Sequence, residues 1–202
     1  MLEVDTPHGP ARVHLRPVEG PTAGLILGHG AAGGVGTADL TAAAEAANDA
    51  GISVALVEQP YVVAGRKSPA PARQLDTAWT TVVERLRGGE FDGLPIVLGG
   101  RSAGARVACR TAAELGAVAV LCLAFPVHPP GKGDDPTKSR LDELDAVDVP
   151  VLVVQGDSDS FGMPPEGPGR TVVAVAGNHS LKDADAVRDA VSAWLAEHLT
   201  WS

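Results

Sequence analysis

The sequence predicts an α/β protein, with a mostly parallel, twisted sheet lying between two layers of helices. Short runs rich in valine, leucine and isoleucine alternate with amphipathic stretches, which is the pattern of buried parallel strands connected by helices. No internal repeat, linker or shift in composition divides the 202 residues, so we expect one domain spanning 1–202. Only seven residues are aromatic, which predicts a core built mainly from aliphatic side chains.

The individual elements follow from the apolar pattern. Residues 2–5 and 11–15 flank a Pro-His-Gly-Pro turn and predict a leading hairpin. Further strands are predicted at 25–27, 52–57, 96–98, 117–125, 151–155 and 171–175. Helices are predicted at 38–50, 73–87, 103–115, 138–147 and 181–198. Segments 62–72 and 126–136 are rich in proline and glycine and predict loops.

The charge balance and the cysteine pattern exclude several classes of partner. There are 16 Lys and Arg against 25 Asp and Glu, a net charge of −9, whereas a nucleic-acid-binding protein needs a basic face. The N-terminal segment lacks the pattern of a signal peptide, and no apolar run reaches the length of about 18 residues that spans a membrane. Cys109 and Cys122 have neither disulfide-framework density nor metal-ligand spacing. We therefore expect a cytoplasmic protein with no nucleic-acid, membrane or metal partner.

Residues 28–33, GHGAAG, match the dinucleotide-binding pattern G-x-G-x-x-G. They follow a predicted strand, and Glu58 ends the next strand at the spacing of a ribose-binding acid. Two features oppose a dinucleotide-binding protein: a hairpin precedes the first of these strands, and residues 34–37 intervene before the helix. Dinucleotide binding therefore stays an alternative, and the favoured interpretation needs no cofactor.

Residues 100–104, GRSAG, match the pattern G-x-S-x-G of a nucleophile elbow. The apolar run 94–98 leads into this segment and the predicted helix 103–115 leads out, which is the strand, turn and helix that an elbow requires. Glycines flank the serine because strand and helix pass so closely that side chains two residues away would collide. Ser102 is thus a candidate nucleophile.

An acid and a histidine each follow a later strand. Asp157 and Asp159 come after 151–155, and His179 comes after 171–175. The order Ser, Asp, His is the one that this kind of elbow uses, and polar groups at carboxyl ends of parallel strands meet at one edge. The pattern alone leaves Asp157 and Asp159 open. The remaining histidines break this order or lie in the hairpin, the glycine-rich loop or the last helix: His8, His14, His29, His128 and His198.

The glycine-rich loop also has an interpretation in an enzyme of this kind. Such an enzyme takes one oxyanion-binding amide from the residue after the nucleophile and one from a loop after an earlier strand, often rich in His and Gly. Ala103 and Ala31 occupy these places, and Gly30 lets the backbone approach a substrate closely. We expect the ring of His29 to bind backbone atoms and so shape the loop.

Five segments together resemble the α/β-hydrolase superfamily, and in particular its small dienelactone-hydrolase-like members: LILGHGAAGG, VLGGRSAGARVA, LCLAFPVHPPGK, VLVVQGDSDSFG and GNHSLK. The combination is similar to a poorly characterised bacterial subgroup with eukaryotic relatives, and the resemblance spans about residues 23–198. It implies a three-layer α/β-hydrolase fold. It also implies that Ser102 is the nucleophile, His179 the base and Asp159, in preference to Asp157, the orienting acid. Dienelactone hydrolases themselves use a cysteine nucleophile, so Ser102 departs from their pattern.

The same resemblance implies a minimal hydrolase without a lid. The stretch between the strands at 117–125 and 151–155 is short and proline-rich, and we expect no helix between Asp159 and the strand at 171–175. Loops 59–72 and 125–132 should form the rims of an open site, where Arg66, Lys67 and Arg101 could attract an acidic substrate. Glu58 is predicted to pair with Arg101.

The expected function is hydrolysis of a small-molecule ester or thioester through an acyl-enzyme, with no cofactor or metal. The alternatives are a non-catalytic interaction module of the same fold and, as above, a dinucleotide-binding protein. The sequence leaves the oligomeric state open.

Overall fold

A computed structural model describes residues 1–198, in which eight strands form one sheet. The strands are β1 (Leu2–Thr6), β2 (Gly9–Arg16), β3 (Ala23–Gly28), β4 (Ile52–Glu58), β5 (Ile96–Arg101), β6 (Ala119–Leu123), β7 (Val151–Gly156) and β8 (Arg170–Val175). Their order across the sheet is β1-β2-β4-β3-β5-β6-β7-β8. The hairpin β1-β2 is antiparallel and β2 joins β4 antiparallel, whereas every other neighbouring pair is parallel.

Helices connect the parallel strands. They are α1 (Ala38–Asp49), α2 (Pro60–Val63), α3 (Ala72–Arg87), α4 (Ala103–Thr111), α5 (Leu141–Asp145) and α6 (Ala184–His198), with a 3-10 turn at Pro136–Lys138. Successive side chains of a strand point to opposite faces, and β3 shows the result. Leu25 and Leu27 pack in a core with α1 and α6, while Ile26 packs in a second core with α3 and α4. The sheet therefore lies between two helical layers.

The central strands are apolar along their whole length because helices cover both of their faces. Every residue of β3 and β7 is buried, whereas most of the edge strand β8 is only partly buried. The predicted aliphatic core is confirmed, with Trp79 and Phe125 as its largest fully buried side chains. Within residues 1–198, no helix combines the length and the apolarity needed to cross a bilayer.

The structure corrects several predicted boundaries. The predicted loop 62–72 starts inside α2, and the helix predicted at 138–147 consists of the 3-10 turn and the short α5, separated by an extended Ser139. Helix α4 ends at Thr111 rather than at 115. Helix α6 begins at Ala184 rather than at 181, because Leu181 has a φ of 43° that a right-handed helix does not accept.

Candidate active site

Ser102 lies at the turn between β5 and α4, with φ 52° and ψ −108°. Few residues other than glycine adopt a positive φ, so this turn is strained. A Cβ on Gly100 would lie 2.5 Å from the carbonyl oxygen of Gly28, and one on Gly104 would lie 2.4 Å from the same atom. The glycines are therefore required for β3, β5 and α4 to meet here, as the elbow pattern predicted. The turn aims Ser102 at the carboxyl edge of the sheet.

His179 and Asp159 reach Ser102 from neighbouring loops. The Ser102 hydroxyl donates to His179 Nε2 at 2.9 Å, and His179 Nδ1 donates to Asp159 Oδ2 at 2.8 Å. Both loops follow adjacent strands, and at Gly156 they approach so closely that a Cβ would lie 2.5 Å from the Gly177 oxygen. In residues 1–198, Ser102 and Asp159 make hydrogen bonds to no other histidine.

The side chain of Asp159 is buried and accepts several hydrogen bonds, whereas that of Asp157 is exposed and accepts one. The Asp159 side chain is 1% exposed, and it accepts hydrogen bonds from the amide of Phe161 and from Gln155 Nε2, both at 2.8 Å. Asp157 is exposed and accepts only the amide of Gly177, at 3.1 Å. Of the two aspartates that the sequence left open, the structure brings Asp159 to the histidine.

Gln155 and Phe161 complete this corner, and sequence reasoning did not assign them a role. The amide of Gln155 also donates to the carbonyl oxygens of Phe125 and Gly162, at 3.1 and 2.8 Å, so it ties the loop of Asp159 to the end of β6. The ring of Phe161 stacks on His179, with centroids 4.0 Å apart and planes at 28°. Both residues belong to the segment QGDSDSFG. The signal available in the sequence was a glutamine at the end of a predicted apolar strand.

The glycine-rich loop is fixed by His29, as predicted. The backbone amide of Gln59 donates to His29 Nε2 at 3.0 Å, so the ring proton is on Nδ1, which donates to the Gly30 oxygen at 2.7 Å. Burial lowers the pKa of His29 below its usual 6.5, with opposing contributions from the Gly30 bond and Glu58. The neutral ring is therefore the form that the fold accommodates. Tyr61 adds a hydrogen bond to the Ala31 oxygen at 3.0 Å.

Ala31 and Ala103 line the same cavity as Ser102. The backbone amide of neither donates a hydrogen bond within the described part of the chain, so both stay available to an incoming oxygen atom. Gly30 packs against the elbow, where a Cβ would lie 2.7 Å from Arg101 Nη1. The loop that resembled a dinucleotide-binding turn is thus packed on the elbow, and α1 begins only at Ala38.

The predicted pairing of Arg101 with Glu58 is wrong. Strand β3 lies between β4, which ends at Glu58, and β5, which ends at Arg101, so the two residues are about 10 Å apart across the sheet. Glu58 instead lies 3.4 Å from Arg12 and 3.2 Å from His14. Arg101 Nε lies 2.8 Å from Asp39 Oδ2, at an angle that makes the contact an ion pair rather than a directed hydrogen bond.

Asp39 contacts the candidate site through Arg101, and the sequence alone did not point to it. Its side chain is fully buried, and Arg101 beside it is 16% exposed. Arg101 Nη2 also donates to the carbonyl oxygen of His179 at 2.8 Å. The guanidinium therefore connects the start of α1, the elbow and the loop of the histidine. An acidic residue in the first turn of the helix after the glycine-rich loop was the only signal for this pair.

The cavity at Ser102 has a volume of about 310 Å³. Loops that were predicted as rims contribute Pro69, Ala70 and Pro126, and its wall also contains the apolar Leu75 and Phe161. Three cations border it: Arg106, Arg110 and Arg140. The predicted cations Arg66 and Lys67 border a neighbouring hollow of about 490 Å³ instead.

Two further predictions concern the surroundings of this cavity. No helix occurs between Asp159 and β8, as expected, and between β6 and β7 the described chain forms only the 3-10 turn and α5. Across residues 1–198, no group of three or more His, Cys, Asp or Glu side chains is arranged to hold a metal ion. The arrangement offers a serine, a hydrogen-bonded imidazole and a carboxylate beside free amides, which is the equipment of acyl transfer.

Comparison with known proteins identifies the architecture. The sequence profile of a family described as an alpha/beta hydrolase domain matches residues 21–188. The fold is similar to that of an α/β serine hydrolase without lid from Xanthomonas campestris, at 23% identity and a TM-score of 0.80, over 100% of this chain and 95% of that chain. Est1E from Butyrivibrio proteoclasticus is 18% identical with a TM-score of 0.78, over 99% of both chains.

A dienelactone hydrolase from Anabaena variabilis is also similar, at 16% identity and a TM-score of 0.74, over 98% of this chain and 96% of that one. The curated proteins contain no match to the sequence. At such identities the structural likenesses establish the fold, and they confirm the predicted fold class.

Proposed function

The chain belongs to the alpha/beta hydrolase family, and from this premise we propose that it is a serine hydrolase that cleaves a small carboxylic ester or thioester. The observation that carries the proposal is the hydrogen-bonded sequence from Ser102 through His179 to Asp159, with distances of 2.9 and 2.8 Å. A serine hydroxyl becomes a nucleophile only beside a base, and the base needs a group that fixes its tautomer.

In the acylation step, Ser102 Oγ attacks the carbonyl carbon while its proton passes to His179 Nε2. Asp159 stabilises the resulting imidazolium through the Nδ1–H bond, and it stays ionised. The negative charge that develops on the carbonyl oxygen is accepted by the amides of Ala31 and Ala103. His179 then returns the proton to the leaving alcohol or thiol, and the acyl group remains on Ser102.

Deacylation repeats these steps with water. His179 takes a proton from the water molecule as its oxygen attacks the acyl carbon, and it returns this proton to Ser102 Oγ as the acid leaves. Both halves use the same two amides, so the glycine-rich loop and the start of α4 stabilise the oxyanion of both tetrahedral intermediates. The preformed hydrogen bonds of His29 and Tyr61 support this role, because they fix the loop before substrate arrives.

The size of the cavity supports a small substrate. Ligand pockets in proteins commonly range from about 300 to 1,000 Å³, and the 310 Å³ at Ser102 stands at the lower limit. The described chain has no inserted lid between β6 and β7 that could cover a long acyl chain. We therefore propose short acyl groups, and p-nitrophenyl acetate and butyrate should be turned over faster than the decanoate.

A fluorophosphonate probe tests the nucleophile directly. Mass spectrometry of the labelled protein should place the adduct on Ser102, and Ser102→Ala should remain unlabelled with no p-nitrophenyl ester turnover. If the wild-type protein is not labelled and a broad ester panel gives nothing above the Ser102→Ala background, the hydrolase proposal is wrong. A non-catalytic interaction module would then be the better interpretation.

The two neighbouring aspartates provide a matched test of the acid. Asp159→Asn should lower kcat on the order of 10³-fold or more, because the amide no longer favours the tautomer with its proton on Nδ1. Asp157→Asn makes the same chemical change two residues away, and its amide oxygen can still accept the Gly177 amide. Its kcat should stay within about twofold of wild type. Equal losses in the two variants would contradict the assignment of Asp159.

We also propose that the protein works in the cytoplasm. Cys109 and Cys122 are buried and free, and their sulfur atoms lie 3.5 Å apart without a bond, as expected in a reducing compartment. Alkylation of a fresh cell lysate under denaturing conditions should add two thiol labels to the chain. Recovery of an oxidised pair would argue against this location.

A further inference from the structure

The wall of the cavity beside Ser102 carries three guanidinium groups. Arg106 and Arg110 follow Ser102 at intervals of four residues along α4, so all three lie on one side of the helix. Arg140 joins them from the residue before α5. The chain as a whole has a net charge of −9. The net charge at this cavity depends on how many carboxylates pair with the three arginines.

Two of these arginines form ion pairs with acidic side chains. Arg106 makes a two-point contact with Glu143, at 2.7 and 2.5 Å, and Arg110 makes one with Asp76, at 2.9 and 2.6 Å. Arg110 also lies 3.2 Å from Glu143. Two-point contacts of this kind fix the guanidinium planes and satisfy their charge. The positive charge of each of these two arginines is therefore already balanced by a carboxylate.

Arg140 is the third cation, and no carboxylate in the described part of the chain forms an ion pair with it. Its side chain donates one long hydrogen bond, 3.4 Å, to the carbonyl oxygen of Pro126, and no acidic side chain in residues 1–198 lies within 4.0 Å of it. Partial burial lowers the pKa of Arg140, and repulsion from Arg106 lowers it further, against the attraction of Glu143. An arginine remains protonated even so. Three guanidinium groups against two carboxylates leave one positive charge at the cavity.

We propose that Arg140 binds a carboxylate of the substrate, so that the preferred substrates are small esters or thioesters carrying one carboxylate on the acyl part. This inference rests on the proposed hydrolase function and names its substrate class. A planar guanidinium with free N–H groups matches a carboxylate at two points. The single excess charge matches one carboxylate better than a phosphate, which carries a charge of about −1.5 to −2. The apolar wall of Leu75, Pro126 and Phe161 suits the short chain between carboxylate and ester.

Monomethyl glutarate and dimethyl glutarate test the inference, because they share one acyl chain and differ only in the free carboxylate. For the wild-type enzyme, kcat/KM for the monoester should exceed that for the diester at least tenfold, mainly through KM. Arg140→Gln should reduce this ratio to about two or less. Arg140→Glu should reverse the charge preference, so that the methyl ester of 4-trimethylammoniobutyrate becomes a better substrate than monomethyl glutarate.

Arg188→Gln is the matched control, since it makes the same change of net charge at an exposed arginine whose partners are Glu45 and Asp49. It should keep the wild-type ratio. Equal kcat/KM for the two glutarates in wild type would overturn the inference, as would an unchanged ratio in Arg140→Gln. Circular dichroism spectra of both Arg140 variants show whether a loss of activity comes from misfolding, and the two opposite charges at one position keep the test decisive.

Binding separates this inference from the hydrolase proposal. Ser102→Ala should bind monomethyl glutarate saturably in calorimetric titration, and the double variant Ser102→Ala/Arg140→Gln should bind it at least tenfold more weakly. Binding without turnover by the wild-type protein would support the carboxylate site while the hydrolase proposal fails. No difference in binding between the two variants would overturn the carboxylate site whatever the enzyme hydrolyses.

Discussion

Removing Asp39 should expose how strongly the elbow depends on a buried ion pair. Asp39→Ala deletes the carboxylate that lies 2.8 Å from Arg101 Nε, in a place where the Asp39 side chain is fully buried and that of Arg101 is 16% exposed. Arg101 then keeps its charge without a counterion. Arg101 Nη2 also donates a hydrogen bond to the His179 carbonyl oxygen at 2.8 Å. A shift of Arg101 should therefore also move His179, one of the candidate catalytic residues.

The magnitude follows from the burial of the two groups. Removing one partner of a buried ion pair costs about 3 to 5 kcal/mol, because the other charge remains desolvated. A domain of this size loses about 2 to 4 °C of Tm for each kcal/mol, so we expect a decrease of roughly 6 to 20 °C. This is a large part of a total stability that is typically about 5 to 15 kcal/mol.

A double-mutant cycle separates the pair from its surroundings. Urea unfolding of wild type, Asp39→Ala, Arg101→Met and the double variant gives the coupling energy. The double variant should be more stable than Asp39→Ala alone, because no uncompensated charge remains. Its ester turnover should nevertheless stay low, since nothing holds the His179 carbonyl.

Glu90→Ala is the control, because the pair of Glu90 with Arg85 is exposed and such pairs contribute about 0 to 1 kcal/mol. If Asp39→Ala were no more destabilising than Glu90→Ala, Arg101 would be solvated in the folded protein and the reasoning would be refuted. Full turnover in the Arg101→Met variant would refute the positioning role separately.

Three further predictions address the loop and the elbow. The pKa of His29 is lowered in the folded protein, so the unfolded chain takes up its proton first, and the stability contributed by the neutral ring is present above pH 6.5 and lost below it. The urea midpoint of wild type should therefore fall more between pH 7 and pH 5 than that of His29→Gln, and parallel pH profiles would contradict this. Gly104→Ala should cost about 3 kcal/mol and abolish turnover, because its Cβ would lie 2.4 Å from the Gly28 oxygen, whereas Gly36→Ala, which meets nothing within 4 Å, should unfold like wild type. Ser102→Gly should be about 1 kcal/mol more stable than Ser102→Ala in thermal unfolding, because glycine accepts a φ of 52° without strain, and equal stabilities would mean that the turn stores none.

Much of the architecture could be predicted because it is written in local patterns. Apolar runs identified the strands, and the spacing of Leu75, Trp79, Val82 and Leu86 identified α3, because burial on one face imposes a period on the sequence. Boundaries were less accurate where a single backbone angle decides them. Leu181 has a left-handed backbone conformation and therefore cannot belong to α6. Apolar periodicity carries no information about φ.

The sequence by itself determined which residues could reach one edge of the sheet. Ser102, the two aspartates and His179 each follow a strand, and parallel strands all end on the same side, so their convergence follows from connectivity. Only the tertiary structure decided between neighbours in the chain. It brings Asp159 rather than Asp157 to His179, because the turn after β7 directs one inward and the other to solvent.

The partners of the charged residues were likewise decided in three dimensions. Arg101 pairs with Asp39 rather than Glu58. Strand β3 separates the end of β4 from the end of β5, whereas Asp39, in the first turn of α1, lies beside Arg101. The charge of Arg140 is left uncompensated because Glu143 and Asp76 are already bound by Arg106 and Arg110. Strand order and helix crossing bring together residues that are far apart in the chain, and a one-dimensional pattern specifies neither.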